Sequence, residues 1–401
     1  MGNEKDLPIR IVGTGMDGKT TLTAKARAAI EKADVLIGAK RVTEPFSELS
    51  KPIFNAWKAE EISEIIRREK FKNPCVLMSG DCGFYSGAER LTVELSEYDV
   101  EIIPGISSLV YFAAKLKIPW QDMKFVSLHG TENPIVRNVC KNKYCFFLLG
   151  GEFTANAVCK RLCEYGLYDL GVYVGEDLGY ANEKITSGTA AEFSEKNFSS
   201  LSVILVENPN YEHGIRFGIP DEEFVRGENI PMTKSEVRAV IMSKLGICDG
   251  DVCWDIGCGT GSVTVEMALQ CGSGHVYAAD ISETATRLTA ENCVKFGCDN
   301  VSFFCGTAPE ISERFPEPDC VFIGGSGRRL PEILDRVFET AKPDARIVLT
   351  AVTLDTLETA RREFLKHRMA PEIVQCAFTR VSGRSMRSAM NPIFIIKGIV
   401  K

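Results

Sequence analysis

An apolar run that ends in an acid and then breaks into alternating glycines spans Val252 to Gly261, Val-Cys-Trp-Asp-Ile-Gly-Cys-Gly-Thr-Gly. That order describes a buried parallel strand turning sharply into a helix. Gly257, Gly259 and Gly261 permit positive φ and remove every Cβ that would hold a ligand off the backbone, while the next helix start offers N–H donors. A dinucleotide-binding turn closes on a third Gly or an Ala. Ser262 stands at that position here, which argues against NAD. The stretch from His275 to Asp280 ends in an acid nineteen residues after Gly261, where a second-strand carboxylate accepts hydrogen bonds from ribose hydroxyls. Asp255 adds a negative charge that suits a ligand carrying an ammonium and a sulfonium.

The first half carries three further loops after apolar strands: Gly13-Thr14-Gly15-Met16-Asp17-Gly18, Ser79-Gly80-Asp81-Cys82-Gly83-Phe84-Tyr85-Ser86-Gly87, and Pro104-Gly105-Ile106-Ser107-Ser108. A lone G-x-G is a weak signal, and Ser107 with Ser108 also suits plain helix capping. His129, in Ser-Leu-His-Gly, could serve as a base or simply as a hydrogen-bonded structural histidine. With fifteen cysteines there is no C-x-x-C pair, so zinc and thioredoxin-like chemistry are not indicated, and no metal site is expected.

Asp-x-Gly-x-Gly-x-Gly with Asp280 beyond it resembles motif I of the class I S-adenosylmethionine (SAM) methyltransferases. The resemblance implies that Gly257, Cys258, Gly259, Thr260 and Gly261, behind Asp255, hold the methionine part of SAM. It also implies that Asp280 holds the ribose and that Thr307 and Ala308, after the third strand, hold the adenine. The three N-terminal loops, in their order, resemble the tetrapyrrole methylases, class III SAM methyltransferases. There SAM lies folded in a cleft between two α/β subdomains, which implies contacts from Gly13, Gly15, Ser79, Gly80, Asp81, Ser107, Ser108 and Gly150. The run Ala33-Asp34-Val35-Leu36-Ile37-Gly38-Ala39-Lys40-Arg41 and the Ser-Gly-Asp-x-Gly-Phe-Tyr-Ser loop are similar to the members that methylate precorrin carbon 5, although Cys82 stands where those usually have Pro. Gly218-Ile219-Pro220-Asp221-Glu222-Glu223-Phe224 and Pro231-Met232-Thr233-Lys234 resemble the lead-in of carbon-15 precorrin methyltransferases, in which the Thr touches SAM. Gly324-Gly325-Ser326-Gly327 resembles the same group.

The chain as a whole therefore resembles the fused carbon-5 and carbon-15 precorrin methyltransferases of cobalamin biosynthesis. That implies two SAM per chain, methylation at both carbons with loss of CO2 from the ring C acetate, and a macrocycle that is itself the nucleophile. A precorrin bears acetate and propionate side chains, which guanidinium groups bind bidentately. Gly325, Ser326, Arg328, Arg329, Arg384 and Arg387 are the expected acceptor-side residues, against the alternative that the arginines are ordinary solvated surface. A methyltransferase pair acting on another acceptor, or a non-catalytic SAM-binding module, are the competing readings.

These residues need an α/β scaffold. The resemblance implies a class III fold of two α/β subdomains over residues 1–207 and a Rossmann-like class I domain over 231–401, and the polar, turn-rich composition of 208–230 reads as a linker between them. The spacing predicts a helix from about Thr20 to Lys32, and a Thr233/Glu236 capping box starting a helix that runs to about Leu245. In the last domain it predicts strands 252–256, 276–279, 301–305, 320–323 and 346–351, closed by a pair at 372–381 and 392–399. At 401 residues with a net charge of −7 shared by both halves, nothing points to nucleic acid. No apolar run approaches a membrane span, and the N-terminal Met-Gly-Asn-Glu-Lys-Asp lacks the apolar core of a signal peptide. The cysteine usage suits a reducing cytoplasm, and a homo-oligomer is expected.

Overall fold

Short β-branched runs that end in glycine or acid, each followed by a helical period, dictate parallel strands with crossover helices. The computed structural model describes residues 8–130, 133–212, 214, 216–382 and 386–400, with backbone alone at 382 and 386–388. The chain divides into two compact units, residues 1–132, 143–163 and 168–208 in one, and 133–142, 164–167 and 209–401 in the other.

The first unit contains two sheets. Strands β1 (Ile9–Gly13), β2 (Val35–Gly38), β3 (Ile53–Asn55), β4 (Pro74–Met78) and β5 (Val100–Ile103) form an all-parallel sheet in the order β3-β2-β4-β1-β5. Helices α1 (Ala24–Lys32), α2 (Lys40–Thr43), α3 (Ala59–Glu69), α4 (Ala88–Glu94) and α5 (Ser108–Leu116) connect and cover it. The expected helix start at Thr20 moves to Ala24. The Asp17 carboxylate takes the N–H groups of Lys19, Thr20 and Thr21 and folds residues 17–21 into a turn, leaving Thr23 as the cap that accepts from Ala26. Partial burial opposes ionisation of Asp17, but those hydrogen bonds hold its carboxyl well below the usual range. The second sheet runs β6-β7-β10-β8-β9, from β6 (Lys124–Ser127), β7 (Tyr144–Leu148), β8 (Gly171–Glu176), β9 (Lys184–Thr189) and β10 (Ser202–Glu207). It mixes parallel and antiparallel pairs. By the same division α6 (Val136–Lys141) falls in the second unit, while α7 (Ala155–Glu164), all but its last residue, and α8 (Ala190–Ser194) fall in the first.

The second unit holds α9 (Ser235–Leu245), β11 (Val252–Ile256), α10 (Ser262–Cys271), β12 (His275–Asp280), α11 (Glu283–Lys295), β13 (Val301–Cys305), β14 (Cys320–Ile323), α12 (Leu330–Thr340), β15 (Arg346–Ala351), α13 (Leu354–Lys366) and β16 (Glu372–Cys376). The hairpin strands β17 (Thr379–Ser382) and β18 (Met386–Ala389) and then β19 (Ile393–Ile399) follow. One seven-stranded sheet runs β13-β12-β11-β14-β15-β19-β16, parallel through β15, with β19 antiparallel between β15 and β16.

Three local expectations are corrected. The strand expected over 372–381 breaks after Cys376, and β17 leaves the sheet to pair with β18. The Arg380 side chain, paired with Glu236 and Asp221, holds it there. The capping box at Thr233 does not form, since Lys234 is the N-cap without a side-chain bond and the Glu236 carboxylate is committed to Arg380. Part of the supposed linker is packed: Ile219, Asp221 and Phe224 are buried, while most of the described residues of 208–230 are not. Ile219 and Phe224 pack into a cluster with Val237, Ile241 and Val263. Behind them lie Asp221 at 2% exposure and Arg238 and Glu266 at 0%. The Arg238 guanidinium bonds both carboxylates and the Ile219 carbonyl, and Glu266 accepts from the Gly218 and Ile219 N–H groups. Burying a charge without such partners costs several kcal/mol, so this part of the segment folds inward around them.

Candidate functional site

In the first unit, the strand ends of β1, β4 and β5 meet through glycine. A Cβ on Gly105 would lie 2.1 Å from the Gly80 carbonyl oxygen, and one on Gly13 would lie 2.6 Å from the Gly105 nitrogen. Gly15 and Gly80 exchange backbone hydrogen bonds of 3.1 and 2.9 Å. Asp81 ties the loops together, its carboxylate accepting from Gly83 at 2.8 Å and Gly105 at 2.9 Å. Cys82 fills the buried position beneath, donating to the Ile11 and Ile103 carbonyls. Burial pushes its thiol up to about 12, so it stays a neutral packing group.

The loops open onto a cleft of about 420 Å³ whose walls include Ser79, Gly80, Asp81, Ser107, Ser108, His129 and Gly150. The structure thus brings these expected residues together from both sheets. Gly13 and Gly15 are absent from the lining and act from behind, by letting the loops touch. Ser107 caps α5 by accepting from Val110 at 3.2 Å and also lines the cleft. The His129 ring lies over Gly150, where a Cβ would come within 2.1 Å of Nδ1. Met16, Arg41, Phe84, Tyr85, Leu178 and Tyr180 also line the cleft and were not singled out from the sequence. Arg41 sits inside a quoted motif, but Tyr180 and the Ser200–Val203 wall carry no local signal.

In the second unit, Gly257, Gly259 and Gly261 have φ of 78°, 57° and 76°. The reason for each glycine is also steric. A Cβ would meet the Gly325 nitrogen at 2.5 Å, the Pro231 carbonyl oxygen at 2.7 Å and Thr289 Cγ2 at 2.6 Å respectively. The turn is therefore pressed between the Pro231 carbonyl and Gly325, which stand beside it. Asp280 accepts from Gly259 at 3.0 Å through Oδ2 and from Ser282 at 2.9 Å through Oδ1, so the carboxylate is held against the glycine turn.

Asp255 departs from expectation. It is fully buried, and the Thr264 hydroxyl donates to its Oδ2. Burial pushes its carboxyl up to about 7, with the nearby Asp280 charge adding to the rise. The side chain braces the start of α10 from inside and does not present a negative charge to a ligand. Cys258 and Thr260 are likewise buried at 7% and 1%. Thr307 flanks a shallow hollow with Gly306, Glu310 and Arg329, while Ala308 packs against the neighbouring apolar cluster. Gly325 and Ser326 line a cavity of about 190 Å³ with Thr350, Thr353 and Thr356. Arg329 is bonded bidentately to Glu310 at 2.8 and 2.7 Å, so its charge is matched within the protein. Arg328 is exposed, with φ of 72°. Arg384 lies outside the described residues, and Arg387 is described only as backbone in β18. Among the described residues no group of three or more His, Cys, Asp or Glu is placed to hold a metal, the fifteen cysteines are free thiols, and no helix is long and apolar enough to cross a membrane.

A cleft of loops between two α/β sheets, followed by a glycine turn with a strand-end acid on a mainly parallel sheet, defines a tandem of two methyltransferase domains. Residues 8–194 match the family of tetrapyrrole (corrin/porphyrin) methylases, and residues 224–392 match the precorrin methyltransferase domain. A probable cobalt-precorrin-6B C(15)-methyltransferase (decarboxylating) of Pyrobaculum calidifontis is 44% identical over 184 residues, 45% of this chain and 94% of that protein. The precorrin-6Y C(5,15)-methyltransferase [decarboxylating] of Sinorhizobium sp is 28% identical over 356 residues, 86% of this chain and 85% of that protein. A crystal structure described as precorrin-6y C5,15-methyltransferase from Geobacter metallireducens GS-15 is 38% identical, covering 46% of this chain and 97% of its own, with a TM-score of 0.44. The chain belongs to the precorrin methyltransferases, SAM-dependent C-methyltransferases.

Proposed function

We propose that the chain methylates carbons 5 and 15 of precorrin-6B or its cobalt form, with decarboxylation of the C12 acetate, in the corrin pathway of the cytoplasm. The carrying observation is that two separate loop-built sites occur in one chain, in the order that the Sinorhizobium enzyme matches across 86% of this sequence. In this reading residues 1–207 form a class III unit acting at carbon 5, and the chain from 231 forms a Rossmann-like class I unit acting at carbon 15. The 208–230 segment belongs to the latter.

Each unit binds its own SAM. The residues present fit it: a glycine-walled cleft in the first unit, and in the second a turn of positive-φ glycines with Asp280 alongside. SAM supplies an electrophilic methyl on sulfur, and the electron-rich macrocycle supplies the carbon that attacks it. The protein's part is alignment and exclusion of water, worth several kcal/mol through lost translational freedom alone. Ser79, Gly80, Ser107, Ser108 and Gly150 would line one cofactor. Thr233, Gly257 to Gly261, Asp280 and Thr307 would line the other, with Asp280 taking the ribose. Gly325, Ser326 and Arg328 face the acceptor side of the second unit.

Incubation with SAM and precorrin-6B, with and without cobalt, followed by mass spectrometry of the products, tests this. Two added methyl groups and one lost CO2 are expected. A product with a single methyl, or none, overturns the bifunctional reading.

A further inference from the structure

The first-unit cleft contains a cation with no carboxylate partner among the described residues. Arg41 stands in the first turn of α2, just past the end of β2, and lines the cleft together with Ser79 and Tyr180. Its guanidinium is exposed and is oriented by two neutral hydroxyls, Tyr180 Oη at 3.2 Å from Nη1 and Ser79 Oγ at 3.4 Å from Nη2. Among the described residues no carboxylate pairs with it. Asp81, the acid in the same cleft lining, has both oxygens committed to the Gly83 and Gly105 N–H groups. Tyr180 is itself fixed, because its loop is closed by the Tyr180 N–H to the Asp177 carbonyl, and the Glu183 carboxylate takes Gly179 N–H and Tyr111 Oη.

A guanidinium offers five donors in a rigid fork, of which these two hydroxyls use two. The remaining edge suits a carboxylate, which binds such a fork through two parallel hydrogen bonds. From this geometry we infer that Arg41 is a specificity-determining residue of the first-unit reaction, binding one acetate or propionate carboxylate of the tetrapyrrole and so setting which ring faces the methyl group. This rests on the proposed function. A carboxylate could also come from the methionine end of SAM. Arg41 reaches Ser79 but is carried by α2 and not by any of the three glycine loops, and its exposed position favours the acceptor.

The test uses the full chain with SAM and precorrin-6B, and isothermal titration with S-adenosylhomocysteine for the cofactor side. Arg41→Gln should raise the KM for the tetrapyrrole in carbon-5 methylation about tenfold or more, the effect of losing a charged hydrogen-bond partner. Affinity for S-adenosylhomocysteine should stay at the wild-type level and carbon-15 methylation should persist, which shows that the chain is folded. Tyr180→Phe, which keeps the charge and frees its orientation, should give a smaller rise in the same KM. An Arg41→Gln chain with wild-type KM at carbon 5 overturns the inference alone. So does one whose loss lies in S-adenosylhomocysteine affinity, which assigns the carboxylate to the cofactor. A wild-type chain that adds no methyl at carbon 5 overturns the proposed function and this inference with it.

Discussion

Replacing Asp255 with Asn tests how the glycine turn is braced. In the native chain the carboxyl is fully buried, its Oδ1 has no hydrogen-bond partner, and its pKa rises from 3.8 to about 7. The folded state thus binds a proton more tightly than the unfolded chain. Stability is fully retained below the unfolded value, falls as pH rises from about 4 to about 7, and levels off above. At about 1.4 kcal/mol per tenfold in proton affinity the whole loss is on the order of 4 kcal/mol, of which about 2.5 kcal/mol falls between pH 5 and pH 8. Asn keeps the shape and an acceptor for Thr264 but cannot ionise, so the variant should lack this slope. Its one cost, a buried N–H left without a partner, is about 1–3 kcal/mol and independent of pH. Urea unfolding of the protein without ligand, read by tryptophan fluorescence, makes the measurement. Trp254 adjoins Asp255 at 0% exposure, whereas Trp57 and Trp120 are exposed at 70% and 45%. The gap between wild-type and variant midpoints should change by roughly 1 M urea across that range. Parallel curves for the two proteins from pH 5 to pH 8 would refute the buried, proton-binding carboxyl.

Asp280→Ala should remove SAM binding from the second unit alone, because a charged hydrogen-bond partner contributes about 1.5–3 kcal/mol. Titration stoichiometry should fall from two SAM per chain to one, with a product methylated at carbon 5 only and retaining its acetate; an equal loss of both methylations would contradict separate sites. Gly257→Ala adds a Cβ 2.5 Å from the Gly325 nitrogen at a φ of 78°, so it should destabilise the second unit by about 1–3 kcal/mol and abolish carbon-15 methylation. A variant with native thermal stability and activity would show that the two turns do not abut.

The residue order alone determined the strand-turn-helix units and the two methyltransferase halves, because parallel strands buried on both faces must be apolar, and turns approached closely by other chain segments must be glycine. Val252–Ile256, His275–Asp280, Val301–Cys305, Cys320–Ile323 and Arg346–Ala351 follow directly from that periodicity. What local pattern cannot encode is which long-range partner a polar group finds. Asp255 reads as a ligand-facing charge because it precedes the glycines, yet its position on a central strand under α10 buries it. Glu236 reads as half of a capping box, and Arg380, far along the chain, takes it instead. The 208–230 segment is polar enough to read as a linker, and Arg238, from α9, reaches Asp221 and the Ile219 carbonyl and so favours the burial of those residues. Arg41 and Tyr180, 139 residues apart, become neighbours because the two sheets of the first unit bring their loops to one cleft, a pairing that exists only in the tertiary structure.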